Sequence, residues 1–170
     1  MPLTSRISIA ASAIQTAALD LGTASAQLSK SYIVDLVNGT AAGQVDRIFH
    51  DQRTLTASAN EDLDLAGALT DAFGTSLTFV RIKGLIVAAA AGNTNNVIVG
   101  GATSNGFVSW VGGATHTVTL RPGAVLALTA GSADATGYAV TAATGDLLRI
   151  ANSAGTTGVT YDIAVIGCSA

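Results

Sequence analysis

The sequence predicts an all-β protein, an antiparallel β-sandwich or barrel entered through an N-terminal arm or short helix. Short runs rich in β-branched residues recur through the second half at roughly 8–12-residue spacing, with Gly-rich turns between them, which is the pattern of such folds. The most apolar stretch, IKGLIVAAAAGNTNNVIVGGA at 82–102, is cut by Asn93-Thr94-Asn95-Asn96. A membrane-spanning helix needs about 20 apolar residues, so strand, polar turn and strand fit better, and no membrane span is expected. Charged residues are 11% of the chain and hydrophobic residues 49%, against about 25% charged in ordinary soluble proteins. That balance argues against disorder, and a surface so poor in charge suggests cover by other subunits.

Taken in order, residues 1–30 lack a clean period. Ile7, Ile14 and Leu21 lie seven apart, which suits one helical face, while frequent Ser and Thr without an evident cap suit an extended arm. Both readings stand. The domain division is an arm over 1–30 and a sandwich over 31–170. SYIVDLV (31–37) reads as a strand before the turn signal Asn38-Gly39, and RIFHDQRTLT (47–56), LDL (63–65) and SLTFVRIKGLIV (76–87) read as further strands. Then follow FVSWV (107–111), THTVTL (115–120), VLALT (125–129), YAVT (138–141), LLRIA (147–151) and VTYDIAVIG (159–167). In THTVTL the threonines alternate with His116, Val118 and Leu120, a half-buried pattern with hydroxyls outward. In VTYDIAVIG both faces are largely apolar or small, which places that strand centrally or at an interface.

The net charge of −3 is against nucleic-acid binding, which needs a dense basic patch. Arg81 and Lys83 are the closest basic pair and read as charge on a solvated strand edge. Cys168 is the sole cysteine, so no intrachain disulfide is possible. The apolar run near the N-terminus is broken by Ser8, Ser12 and Gln15, against a signal peptide.

Chemistry finds little purchase. His50 and Asp51 are strand neighbours, so their side chains point to opposite faces, and His116 reads as a packed or edge histidine. EDLDLAG (61–67) starts like a calcium loop but fails at Ala66 and Phe73, so an exposed acidic turn is expected. The Gly-rich stretches lack a phosphate-loop ending and no zinc or hydrolase motif stands; Asn38-Gly39-Thr40 reads as a turn rather than a glycosylation site. No cofactor, metal or catalytic residue is assigned, and the expectation is a protein that is not an enzyme. Trp110 and Tyr138 are the aromatic candidates for a sugar platform, with core packing the plainer account.

At GQVDRIFHDQRTLTASANEDLDLAGALTDAFG (43–74), VRIKGLIVAAAAGNTNNVIVGGA (80–102) and the ending from RPGAVLALTAG (121–131) to AVIGCSA (164–170), the chain resembles small virion proteins of tailed bacteriophages. It is most similar to capsid decoration, or cement, proteins. The resemblance implies a β-sandwich or jelly-roll body, a homotrimer, and a place outside the head against the major capsid protein, after synthesis in the host cytoplasm. Arg6, Ile7, Ile9 and Ile14 in the arm are the expected partner contacts. A tail, fibre or head-spike component, or a carbohydrate-binding module, is the alternative.

Overall fold

The computed structural model describes residues 2–170, and they form an all-β protein of twelve strands with no helix among them. The first surprise is the N-terminus. β1 (Ser5–Leu19) and β2 (Gly22–Asn38) pair antiparallel along their length, joined at a two-residue turn by Asp20 and Leu21. The segment expected as an arm or helix thus holds β1, the turn and the start of β2, and residues 31–37, expected as the first strand of the body, belong to the end of β2. At roughly 3.4 Å per residue the 15-residue β1 is about 50 Å long. β2 ends at Asn38-Gly39, where Gly39 takes φ +139, and the chain turns to a short parallel partner, β3 (Gln44–Val45).

Two further sheets make the body. In the first, β10 (Tyr138–Ala139), β6 (Arg81–Ala89), β12 (Val159–Cys168) and β4 (Arg47–Leu55) lie in that order, with β9 (Val125–Thr129) pairing β6 beside β10. The second runs β5 (Asn60–Asp64), β11 (Leu147–Asn152), β7 (Val97–Gly100), β8 (Thr117–Leu120). Every pairing in both is antiparallel. The chain passes back and forth between them, and both feed one hydrophobic core. Phe49, Leu85, Val87, Tyr161, Ile163 and Val165 enter from one sheet; Leu63, Val97, Val99, Leu120, Leu148 and Ile150 enter from the other.

Sequence pattern explains the elements closely. In β8, Thr117 and Thr119 are exposed while Leu120 is buried, the alternation of a half-buried strand. β12, flanked by β6 and β4, has the expected central place. The Asn tetrad separates β6 from β7, but these strands belong to different sheets, so it makes a crossing rather than a hairpin. The Asn93 side chain accepts from Thr160 N–H and donates to Thr160 C=O, both at 2.8 Å, as a neighbouring strand would. Asn95 and Asn152 are buried and tie the crossing down, with Asn95 Nδ2 donating to Asn152 Oδ1 at 3.0 Å and to the Thr157 carbonyl at 2.8 Å. Buried amides so paired avoid the cost of unsatisfied polar groups.

Three expectations need correction. FVSWV (107–111) is not a strand: Phe107 anchors in the core and the Trp110 indole donates back to the Phe107 carbonyl at 3.0 Å, folding the segment between flanking glycines. In SLTFVRIKGLIV only the part from Arg81 is strand, because Leu77 and Phe79 spend their N–H groups on Leu69 and Leu65 in the loops. Arg81 and Lys83 are not at a solvated edge. β6 is interior, and the register with β12 skips Lys83, which makes it the extra residue of a β-bulge. The bulge resets the alternation, so Ile82 and Leu85 both reach the core. Lys83 is fully buried (0% exposed) beneath the 130–137 segment and donates to the Asp134 carbonyl. Arg81 donates to the carbonyls of Ala170 and Ala135.

Candidate interaction surface

Register divides the hairpin into two unlike faces. Side chains at odd positions of β1 share a face with even positions of β2, because Ile7 stands opposite Val34, Ile9 opposite Tyr32, Ala13 opposite Leu28 and Ala17 opposite Ala24. This face carries Lys30 as its one charge and Gln15 as its one amide. The reverse face pairs Arg6 with Asp35, Ser12 with Ser29, Thr16 with Ser25 and Ala18 with Thr23. One side of the ribbon is therefore mostly Ala, Leu and Ile, and the other mostly hydroxyl and amide.

Only the root of the apolar face is covered. Ile7 and Leu36 are buried with Val45, Ile166 and Cys168 in a small second cluster, with Leu3, Val34 and Ile48 partly buried against it. Ile7 Cδ1 lies directly over Gly84, where a Cβ would make the isoleucine shift. Asp46, just after β3, fastens the same corner: its N–H donates to the Gly167 carbonyl at 3.1 Å and its Oδ1 accepts from Ser169 N–H at 2.8 Å. The buried Cys168 thiol lies over the Gln44 carbonyl at 3.3 Å, and burial raises its pKa. Beyond the seat the ribbon stands free, with every residue from 8 to 33 exposed.

The four residues expected to meet a partner thus divide. Ile7 is 3% exposed and occupied by its own chain. Arg6 forms a two-pronged ion pair with Asp35 at 2.6 and 3.0 Å on the polar face, and the shared hydrogen bonds raise the arginine pKa and lower the aspartate's. Being exposed, that pair contributes little stability. Ile9 and Ile14 are exposed, but on opposite faces. Sequence reasoning missed Leu28, Tyr32 and Val34, which share the apolar face; Leu28 was left unremarked in the arm, and Tyr32 and Val34 were assigned to the body. The signal was there: Thr23, Ser25, Gln27, Ser29 and Ser31 alternate with Ala24, Ala26, Leu28, Lys30 and Tyr32.

Elsewhere the charges of the body are taken up locally. The acidic segment 61–64 lies largely in β5 rather than in an open turn. Glu61 accepts from Arg53 Nη1 at 2.5 Å and from Tyr161 Oη–H at 2.7 Å, and burial together with Glu61 pushes the tyrosine pKa well up. Asp62 holds Arg149 through two hydrogen bonds of 2.8 and 2.7 Å. Asp134 accepts from the Thr136 hydroxyl and from the Thr136 and Gly137 amides, which hold its pKa down to about 2. His50, Asp51 and Arg53 line a shallow depression of about 260 Å³ with Leu69 and Asp71. Trp110 and Tyr138, candidates for a sugar platform for which core packing was the plainer account, are half-buried and packed on the core. No known protein family, curated protein or solved structure matches this chain.

Proposed function

We propose that this chain is a non-enzymatic structural protein of a tailed-bacteriophage virion, a capsid decoration protein that binds the outside of the head as a homotrimer. In this reading the body is a jelly-roll-like β-sandwich and the β1–β2 ribbon is an N-terminal arm that reaches other subunits. One observation carries the proposal: a ribbon about 50 Å long at ~3.4 Å per residue leaves the body with both faces bare from residue 8 to 33. An isolated two-stranded hairpin is marginally stable in water, so such an element is suited to be completed by something else. The resemblance at 43–74, 80–102 and 121–170 supplies the virion setting.

The physical logic suits a repeating shell. Copies linked in one oligomer engage several equivalent sites together, and avidity rises without stronger individual contacts. Binding the assembled lattice but not its dissociated subunits shifts the balance toward assembly. Burial of ~1,000 Å² of apolar surface contributes on the order of 25 kcal/mol gross, before the large costs of association. A surface with few charges is adequate to that task.

The test shortens the ribbon without disturbing its seat. Replacing residues 10–31 by an Asn-Gly turn keeps the Ile9–Tyr32, Ile7–Val34 and Ser5–Leu36 pairs. The intact protein is expected to sediment with purified heads and the shortened protein to stay behind, folded. Equal sedimentation of both, or an intact protein that ignores full and empty particles alike, overturns the reading.

A further inference from the structure

We infer that the apolar face of the β1–β2 ribbon is the surface through which one copy of this chain joins another, ribbon against ribbon. The inference rests on the oligomeric part of the proposed function and adds the face that carries it. Its first ground is sidedness. Ile9, Leu19, Leu28 and Tyr32 stand exposed on one side in a field of Ala11, Ala13, Ala17, Ala24 and Ala26, while on the reverse side Ile14 and Ile33 stand among a majority of Ser, Thr and Gln residues that water solvates well. Monomeric soluble proteins rarely expose contiguous apolar patches beyond a few hundred Å².

The second ground is area. Beyond the seat, β1 from Ser8 to Leu19 runs about 40 Å, and two strands ~4.8 Å apart present a free face of roughly 400 Å². Two copies stacked on it bury on the order of 800 Å², the size of a weak interface. In a closed trimer, three such faces turned toward one axis bury more.

The third ground is why the occupant is another copy. Every copy carries the same unfinished two-stranded layer, so a symmetric pairing completes both at once, the property of an isologous contact. The shape fits as well. Small side chains leave a shallow depression of about 280 Å³ beside Leu28, lined on this face by Ala13, Gln15 and Ala26, and Leu19 of a neighbour is suited to enter it. Lys30 is the face's only charge and has a long apolar stem that can lie along the surface with its amine in water. The face is also continuous with the seat, where Ile7 and Leu36 already pack against the body.

Sedimentation equilibrium on the full chain tests this, with Leu28→Glu on the apolar face and Ser29→Glu on the polar face. The intact protein is expected to self-associate, Leu28→Glu to weaken association by at least about tenfold, as expected on losing one buried anchor, and Ser29→Glu to leave it unchanged. Unaltered near-ultraviolet circular dichroism of Trp110 checks that the body keeps its fold. A second arm uses the fact that Cys168 is buried and is the only cysteine. Under oxidation Ala13→Cys is expected to cross-link two chains and Ser12→Cys is not. A monomeric intact protein overturns the oligomeric reading and this inference together. Association weakened equally by both glutamates, or equal cross-linking from both cysteines, overturns the face assignment alone.

Discussion

The ribbon and the body are built from the same materials and reach opposite outcomes. Both are antiparallel strands with alternating small polar and apolar side chains. In the body apolar residues of both sheets share one core, and Val87, Ile150 and Val165 are completely buried. In the ribbon the same alternation meets nothing beyond Ile7, Val34 and Leu36, and Leu19 remains 62% exposed. A strand's pattern therefore says which side seeks cover without saying whether the cover comes from the same chain. Stability and readiness to associate are in this sense one property, divided between two regions.

Substitutions sharpen the contrast in decreasing order of effect. Phe79→Ala, inside the body, is expected to destabilise by about 3–5 kcal/mol, the usual cost of removing a buried aromatic, read from denaturant unfolding. Ile7→Ala, at the seat, is expected to cost about 2 kcal/mol. Its distinguishing mark is local: amide exchange in 5–9 and 32–38 rises while the amides of β12 remain protected. Uniform loss of protection in both regions would show that the ribbon and body unfold as one unit. Ile14→Ser, on the free ribbon, is expected to stay within about 0.5 kcal/mol of the parent, as surface substitutions do. If it destabilises as Phe79→Ala does, the ribbon is not the bare element described.

The all-β class and most strands of the body were legible in the sequence. β4, β7, β8, β9, β11 and β12 fall where alternation and Gly-rich turns place them, because local pattern and final burial agree. Three features were not legible, each for a physical reason. The charges of Arg81 and Lys83 read as a solvated edge, but β6 is interior and the bulge at Lys83 turns its side chain under the 130–137 segment, which a strict period does not foresee. Phe107 to Val111 has strand composition but is held by a backward indole hydrogen bond, which pattern does not encode. The hairpin was obscured by its own alanines: Ala at 10, 11, 13, 17 and 18 blurs the alternation of β1, and the seven-residue spacing of Ile7, Ile14 and Leu21 imitates a helix. Of the candidate contacts, the N-terminal location was readable; the division between Arg6 and Ile14 on one side and Ile7 and Ile9 on the other depends on register.

The position of Cys168 has a practical consequence. The chain's one thiol lies beneath the foot of the ribbon, sealed by Ile7 and Leu36. While the foot stays planted, a thiol-reactive dye finds its target shielded and mostly protonated; when the foot lifts, the target opens. The molecule thus carries its own gauge of detachment, and labelling rates would follow the hinge without any added probe.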